Sequence, residues 1–559
     1  MPRFPLVLSA LLVACGGAES EPSESPPPGN TPPPTGSVAY LSPEDHLVRT
    51  SLAIRGVRPS AEDVRRVMAE PSTLLALVDT YLEDPRFGET IRTLHNEALL
   101  TRVLRLYPPI EPLDQAGLFE TSRSVGDEPL RIIEHVVMND LPYGEILTAD
   151  YTIVDEPTAI IYGYAFDPTG PEFQLVPFPP GRPAAGILTT DGFNQRYPSP
   201  GYNFNRQRAN AVSSAILCFD FLSADVVIDA SVDLSDPDAV SRAVVENPAC
   251  AACHQNLDPI GSFFFGWNRY FPAPNSIRGY PLDLYSPNNE NLWELATGRA
   301  PALFGVEGGN RLSDLGRLLT ENPRFPTCTA QRFWSFFNDV PMEEVALAER
   351  DELAAVLVDS GWSAKALVRA IVFSDRFRQS HATEDTDLVG LRRLRPEQLG
   401  PMMEDLTGFY WESEIPTRLR GTPVGRVDVG TDVLGILAGG IDSTTVTTRM
   451  DTYNATSSLV LRAYAAEAAD HVVAEDLATD SEPRLLTMVN AQDRDPTLIR
   501  LQLSELFLRL FAERYEATDP EIDETYAVFS QVLTNGGTPE RAWKVTLTAL
   551  LQDVRIAYY

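Results

Sequence analysis

One short motif constrains this chain more than any other feature of its sequence. Residues 250–254 read Cys-Ala-Ala-Cys-His, so two thiols stand three positions apart and an imidazole follows directly. In a helix, this spacing places both thiols on one face, one turn apart. Such a pair can add to the two vinyl groups of a porphyrin, and the adjacent His254 can ligate the iron. The motif therefore predicts one covalent haem c, held by Cys250 and Cys253.

Three other interpretations of the motif stay open at this point. A redox-active Cys-x-x-Cys pair would follow a strand and open a helix, and the flanking sequence shows no such alternation. A zinc site needs four ligands, and no second Cys/His pair stands at a suitable spacing. The third is a plain disulfide between Cys250 and Cys253. Because the motif occurs once, we expect a single haem rather than a multihaem or dihaem protein.

The N-terminus is typical of an exported, lipid-anchored bacterial protein. Arg3 precedes a short apolar stretch that ends in LVAC at residues 12–15, which resembles a lipobox. We expect residues 1–14 to be a signal peptide and Cys15 to be acylated, the alternative being a plain signal peptide. Residues 15–38 are rich in Pro, Ser, Gly and Glu and predict an extended tether. The expected location is the cell envelope, in the periplasm or at the outer-membrane surface.

Charge limits the partners of this chain. Its 559 residues carry a formal net charge of −33. Such a surface is repelled by nucleic acid, so we expect no nucleic-acid partner. The expected partners are a membrane, reached through the lipid anchor, and a redox protein.

Helical periodicity dominates both ends of the chain. Ser60 is predicted to cap a helix with Asp63 in its first turn, and the apolar spacing over residues 74–82 predicts another helix, which Pro85 should end. Residues 501–515 and 539–551 give the clearest C-terminal helices.

The middle of the chain has a different character. Residues 168–200 are rich in Pro and Gly, and Asp258-Pro259 predicts a turn just after the motif. The expected fold is mainly α, with helical N- and C-terminal domains around a loop-rich monohaem cytochrome c-like domain. The predicted units are a helical N-terminal domain (39–140), a cytochrome c-like haem domain with its leading segment (141–277), a helical closing domain (278–385) and a helical C-terminal domain (386–559).

Several further residues are candidates for completing the haem site. Met342 is the first candidate for a distal iron ligand, because it follows Val340-Pro341 in a predicted loop, and Met138 and His135 are the others. For any of them, ordinary packing is the competing interpretation. Arg269 and Arg278 are candidates for pairing with haem propionates.

Two cysteines remain outside the motif and the lipobox. Cys218 and Cys328 are candidates for a disulfide, because an exported protein meets an oxidising compartment. Pairing cannot be derived from the sequence, so free thiols are the alternative.

Residues 248–261 (PACAACHQNLDPIG) resemble the haem segment of planctomycete-type cytochrome c-like proteins, in which domains of unknown function flank one haem motif and a D-P-x-G turn. The resemblance extends over most of the chain, with two clear matching segments and one clear departure. The strings LPYGEILTADYTIVD (141–155) and RGYPLD (278–283) match the family, whereas Phe263, Phe264 and Phe265 stand where it usually has an acidic residue. Further similar segments are AAGILTT (184–190), SLAIRGVRPSAEDVRRVM (51–68) and RRLRPEQLGPMMEDLTG (392–408).

The resemblance implies export and haem binding, but it names no activity. We expect a membrane-anchored c-type cytochrome that transfers electrons, with the aromatic stretch at residues 263–267 packing the porphyrin. One alternative is a haem-dependent oxidoreductase acting on an extracellular substrate. Another is a surface-binding module with a structural haem. Whether the chain is an enzyme is left open, since no substrate motif is recognisable.

Overall fold

The computed structural model describes residues 38–103, 110–113, 118–201, 203–223, 232–233, 235–268, 277–382, 391–413, 427–428, 433–479 and 482–559. Its secondary structure is 61% helix and 4% strand. The predicted mainly α fold is therefore confirmed. The strands form three short antiparallel ribbons within the described ranges, β1 with β4, β2 with β3 and β5 with β6.

The first helices begin at residues that satisfy their free backbone amides. The Ser60 hydroxyl accepts a hydrogen bond from the Asp63 amide (3.0 Å), as the sequence predicts. The elements of this part are β1 (Val38–Tyr40), α1 (Pro43–Arg55), α2 (Ala61–Ala69), α3 (Leu74–Leu82), α4 (Pro85–Leu99) and α5 (Leu118–Met138).

The helix predicted over residues 74–82 is confirmed as α3, which ends before Pro85, and Pro85 is in addition the first residue of α4. The helix before it ends at Leu82, and the Asp84 carboxylate then accepts a hydrogen bond from the Arg86 amide (3.0 Å). Proline suits this position because the first amides of a helix have no partner inside it. The proline therefore starts a second helix after a tight corner.

The middle of the chain contains short elements and the helix that carries the motif. These elements are β2 (Tyr151–Val154), α6 (Glu156–Tyr162), β3 (Gln174–Pro177), α7 (Asp191–Arg196), α8 (Arg206–Leu217), α9 (Pro237–Glu246), α10 (Pro248–Ser262) and α11 (Trp293–Ala296).

The turn predicted at Asp258-Pro259 is wrong, because α10 continues through both residues to Ser262. A proline inside a helix removes one backbone hydrogen bond and is costly. Here the last turn is held from outside. Ile260 is fully buried, and the Ser262 hydroxyl donates to the carbonyl oxygens of Asp258 (3.0 Å) and Arg299 (2.8 Å).

The remaining elements are helical apart from three short strands. The closing part contains α12 (Leu312–Thr320), α13 (Arg324–Asn338), α14 (Leu347–Asp359), α15 (Ala364–Val372), α16 (Asp375–Arg378) and β4 (Gln379–Ala382). The C-terminal part contains α17 (Pro396–Thr407), β5 (Glu412–Ser413), β6 (Val427–Asp428), α18 (Val433–Leu437), α19 (Ala455–Asp476), α20 (Pro496–Phe511), α21 (Pro520–Thr534), α22 (Pro539–Leu551) and α23 (Val554–Ala557). Among the helices of the described ranges, none is long and apolar enough to cross a bilayer.

Two apolar cores meet at α1. The larger core runs from the N-terminal helices through the middle to α16, and the smaller one belongs to the C-terminal helices. Leu47 and Ile54 of α1 pack in the larger core, whereas Val48 and Leu52 pack in the smaller one. Since the two sets alternate around the helix, α1 is covered on both faces. The motif helix α10 belongs to the larger core, where it packs on α8 and α9.

Candidate functional site

Both motif cysteines lie in the first two turns of α10. The Asn247 side chain caps this helix by accepting a hydrogen bond from the Ala249 amide (3.0 Å), and Pro248 is its first residue. Cys250 and Cys253 are free thiols, each half-buried. Because they are three residues apart on one helix, their side chains lie on the same face.

The histidine of the motif is fixed by a carboxylate one turn further along the helix. The Nδ1 atom of His254 lies 3.1 Å from Oδ1 of Asp258, and the imidazole is 22% exposed. An ionised carboxylate only accepts hydrogen bonds, so Nδ1 must carry the proton. In the neutral imidazole, Nε2 is then the nitrogen with a free lone pair, and it has no hydrogen-bond partner among the described residues. This is the tautomer in which an imidazole binds a metal through Nε2.

Asp258 is itself held by an arginine from the neighbouring helix. Its carboxylate is 2% exposed and accepts two hydrogen bonds from Arg206 of α8, one from Nε (2.6 Å) and one from Nη2 (3.1 Å). The guanidinium of Arg299 lies 3.8 Å away. Burial raises the pKa of Asp258, but hydrogen bonds from His254 and Arg206 lower it more, so the net pKa lies below the ordinary value. The carboxylate beside His254 is therefore ionised.

These donors fit a covalently attached haem. Two unpaired thiols on one helix face and an imidazole with a free Nε2 are the groups that thioether attachment and iron ligation require. Within the described residues, no group of three or more His, Cys, Asp or Glu side chains is arranged to hold a metal ion.

The two remaining described cysteines are bonded to each other. Cys218, the residue that ends α8, forms a disulfide with Cys328 of α13, across 110 residues of sequence. The sequence left their pairing open, and the structure joins them. The disulfide fixes the end of the helix whose first residue, Arg206, holds Asp258.

The candidates for a distal ligand lie in two places. Met342 begins a short turn after α13, and its carbonyl oxygen accepts a hydrogen bond from Gln331 (2.8 Å). His135 and Met138 line a groove of about 320 Å³ on α5, where Nδ1 of His135 lies 3.2 Å from the Asn139 amide nitrogen. Met342 as a distal ligand stays a prediction.

Of the other predicted residues, one lies within the described ranges and two lie outside them. Arg278 donates to the Ile277 carbonyl oxygen (3.3 Å), whereas Arg269 and the lipidation candidate Cys15 lie outside the described residues.

The aromatic stretch after α10 packs against protein. Phe263, Phe264, Phe265 and Trp267 are at most 3% exposed, and Trp267 contacts Tyr285 edge to face. Phe263, Phe264 and Trp267 belong to the larger core, and the expectation that residues 263–267 pack a porphyrin stays a prediction.

A second polar cluster, the Glu128 cluster, consists of Glu128, Asp191, Arg182, Tyr164 and Thr152. One oxygen of Glu128 accepts hydrogen bonds from Thr152 (2.9 Å) and Tyr164 (3.2 Å), and the other accepts from the Asp191 amide (2.9 Å) at the start of α7. Nη1 of Arg182 donates to Asp191 (2.8 Å).

The Glu128 cluster holds two carboxyl groups and one guanidinium in the protein interior. Burial, strengthened by the nearby Asp191 charge, raises the pKa of Glu128 to about 8, although Arg182 opposes the rise. Burial also raises the pKa of Asp191. The pKa of Glu128 is therefore shifted in the opposite direction to that of Asp258. The guanidinium of Arg182 lies 5.1 Å from the Trp267 ring, which places this cluster directly behind the segment that follows α10.

The sequence singled out Cys250, Cys253 and His254, but not the contacts that Asp258 and Arg206 make beside them. A usable signal was present, because Asp258 stands four residues after His254 and residues four apart face each other on a helix. Predicting a turn at Asp258-Pro259 hid that spacing. Arg206 carried no local signal, since it reaches Asp258 only through the packing of α8 on α10.

Comparisons with known proteins identify no relative of this chain. No protein-family model matches it, no curated protein does, and no solved structure does. The resemblance to the planctomycete-type proteins thus stays a prediction. What the chain does must be argued from the site on α10.

Proposed function

We propose that this chain is a lipid-anchored monohaem c-type cytochrome that transfers electrons at the bacterial cell envelope. One observation carries the proposal. Cys250, Cys253 and His254 lie in the first two turns of one helix, both thiols are free, and the carboxylate of buried Asp258 lies 3.1 Å from Nδ1 of the imidazole.

Each residue of the motif has a distinct part in this proposal. The thiols of Cys250 and Cys253 would form thioether bonds, and Nε2 of His254 would ligate the iron. The bound haem would supply one-electron chemistry. The protein supplies orientation, because Asp258 fixes the imidazole and Arg206 fixes Asp258.

The charge of the chain suggests the kind of partner. A net charge of −33 favours association with a redox protein that presents a basic surface, and it makes the association rate fall with ionic strength. The predicted anchor at Cys15 would hold this acidic body near the membrane, so that encounters with envelope proteins occur at high local concentration.

The attachment site is tested with the full-length protein exported from a bacterium that matures c-type cytochromes. A pyridine haemochrome assay should find one haem per chain in the wild type, with the spectrum of a haem attached through two thioether bonds. Cys250→Ala and Cys253→Ala should lose that spectrum, because each retains only one thiol. Gln255→Ala is the matched control, because Gln255 is exposed on the same helix and should leave haem content unchanged. A fully processed wild type without haem would overturn the proposal.

The electron-transfer role is tested by adding carbon monoxide to the reduced protein. An unchanged spectrum is expected, because a carrier has a sixth ligand on its iron. Met342→Ala should then make the iron reactive toward carbon monoxide, whereas Met138→Ala should not. If the wild type binds carbon monoxide readily, the electron-carrier function is contradicted and the haem-dependent oxidoreductase is favoured.

The anchor is tested by labelling cells with a radioactive fatty acid. The wild type should carry the label and sediment with membranes. Cys15→Ser should lose both properties while retaining haem, since Cys15 is remote in sequence from the motif. A label that persists in Cys15→Ser would place the lipid elsewhere.

A further inference from the structure

We propose that Asp258 is a positioning residue that keeps the haem at a low reduction potential by giving His254 anionic character, and that Arg206 limits this effect. The inference rests on the proposed function, since it concerns the ligand of the proposed haem. It goes beyond that function by assigning a direction to the redox property of the site and by naming two residues with opposite influence.

The group that accepts the hydrogen bond from His254 is a charged carboxylate. Nδ1 of His254 donates to a carboxylate oxygen, Oδ1 of Asp258, at 3.1 Å. A charged acceptor makes a stronger hydrogen bond than a neutral one and draws the Nδ1 proton further from the ring. The ring then becomes a more basic ligand at Nε2. A more basic ligand stabilises the more positive ferric iron, which lowers the reduction potential.

Burial of Asp258 keeps its charge effective at the distance of the ligand ring. The carboxylate is 2% exposed, so water screens its field weakly. Its negative charge lies next to the ligand ring and favours the ferric state a second time, through space.

Arg206 competes for the same atom. Nε of Arg206 donates to Oδ1 of Asp258 at 2.6 Å, and that is the oxygen that accepts from His254. A guanidinium on this oxygen withdraws electron density from the hydrogen bond to the imidazole, and its positive charge favours ferrous iron. Arg206 therefore raises the potential that Asp258 lowers.

The backbone holds this arrangement in place. A Cβ atom on Gly261 would lie 2.8 Å from the Phe204 carbonyl oxygen, so α10 and the start of α8 touch without an intervening side chain. The Ser262 hydroxyl ties the backbone of Asp258 to that of Arg299. The carboxylate and its arginine are thus set at a fixed separation.

The experiment measures midpoint potentials by redox titration of the exported holoprotein. Asp258→Asn, which removes the charge but keeps the shape, should favour reduction about tenfold, a rise of about 59 mV for one electron. Arg206→Gln, which removes the cation but can still donate to Asp258, should lower the potential. Asp238→Asn is the control, because Asp238 is exposed on α9, which packs against α10, and its loss should leave the potential unchanged.

Opposite signs separate this role from a merely structural one. Loosening of the site by either substitution would move both potentials in the same direction, and that result, or an unchanged potential in both variants, would overturn the inference. Haem content keeps the two proposals apart. A wild type without haem refutes the proposed function, whereas haem-loaded variants with unchanged potentials refute only the role of Asp258. If Asp258→Asn does not fold, the sign for Arg206→Gln decides, with a fall expected and a rise contradicting the inference.

Discussion

Two buried carboxyl groups in the larger half of the molecule have pKa values that are shifted in opposite directions. Asp258 on α10 and Glu128 on α5 are both at most 2% exposed. The pKa of Asp258 lies below its ordinary value, whereas the pKa of Glu128 is raised to about 8. Burial acts in the same direction on both, so the neighbours account for the difference.

The neighbours differ in the number of cations per carboxylate. Asp258 has Arg206 in bidentate contact, Arg299 at 3.8 Å and the Nδ1 proton of His254. Glu128 shares one guanidinium with Asp191 and otherwise meets hydroxyl and amide donors. The protein thus keeps an ionised carboxylate, paired with Arg206, beside the candidate iron ligand, whereas the surroundings of Glu128 favour its protonated form.

Removing the disulfide that holds α8 should have the largest effect on stability. Arg206, which holds Asp258, is the first residue of this helix, and Cys218 directly follows its last residue. The Cys218→Ala, Cys328→Ala double variant removes a crosslink across 110 residues. We expect the free energy of unfolding to fall by about 4 kcal/mol. Urea denaturation followed by circular dichroism measures it, and wild type treated with a reductant is the matched control. A loss under 1 kcal/mol would contradict a stabilising disulfide.

Removing the cation from Asp258 should have the next largest effect. Arg206→Met leaves a nearly inaccessible carboxylate without its bidentate partner, and we expect a loss of about 3 kcal/mol at pH 7. The loss should shrink at pH 4, because protonation then removes the unpaired charge. Urea denaturation at both pH values checks this, with Arg317→Met on the exposed pair with Glu321 as the control. Equal losses at the two pH values would show that packing, and not charge, is responsible.

Removing the cation from the Glu128 cluster should lower the free energy of unfolding by less, because burial raises the pKa of its carboxyl groups and they can take up protons. Arg182→Met should destabilise the protein by about 2 kcal/mol at pH 8. At pH 5, where Glu128 is protonated, the loss should be smaller. Thermal unfolding across this range measures the difference. A loss that is greater at pH 5 would mean that the carboxyl groups are ionised there, against the assignment.

Glu128→Gln should change the free energy of unfolding least, and its effect should appear in how that free energy depends on pH. The folded protein holds a proton on Glu128 up to a pKa of about 8, whereas an unfolded chain releases it near the ordinary value of 4.5. The folded state therefore binds more protons between these values, and stability falls as pH rises from about 4.5 to about 8. The variant should show a shallower fall. An unchanged slope would assign the proton to other groups, such as Glu134 or Glu397, whose pKa burial raises to about 7.

The elements that sequence predicted best are those whose signals are local. The helix predicted over residues 539–551 is observed as α22, Pro539–Leu551, because one amphipathic stripe faces the C-terminal core. The Ser60 cap is of the same kind. Pro259 behaves differently, since its local signal predicts a turn, whereas packing lets α10 continue through it.

The site divides along the same line. Cys250, Cys253 and His254 are adjacent in sequence, so a covalent motif identifies them. The contact between Arg206 and Asp258 spans 52 residues, and that between Glu128 and the Asp191 amide spans 63. Neither can be predicted without knowing how α8 packs on α10 or α7 on α5. A charged residue in a strongly acidic chain has too many possible partners for the sequence to choose one.

The ribbon of β1 and β4 determines where a mechanical load would enter the folded body. Val38, the last residue of the predicted tether, pairs with Ala382, and the ribbon hydrogen bonds lie across the strands. A pull along β1 therefore loads these bonds together in shear. Arg49 of α1 donates to the carbonyl oxygens of Phe377 and Gln379 (2.8 Å each), so α1 shares the load. Because α1 lies between the two apolar cores, tension from the membrane would spread into both of them, far from the first turns of α10 in sequence.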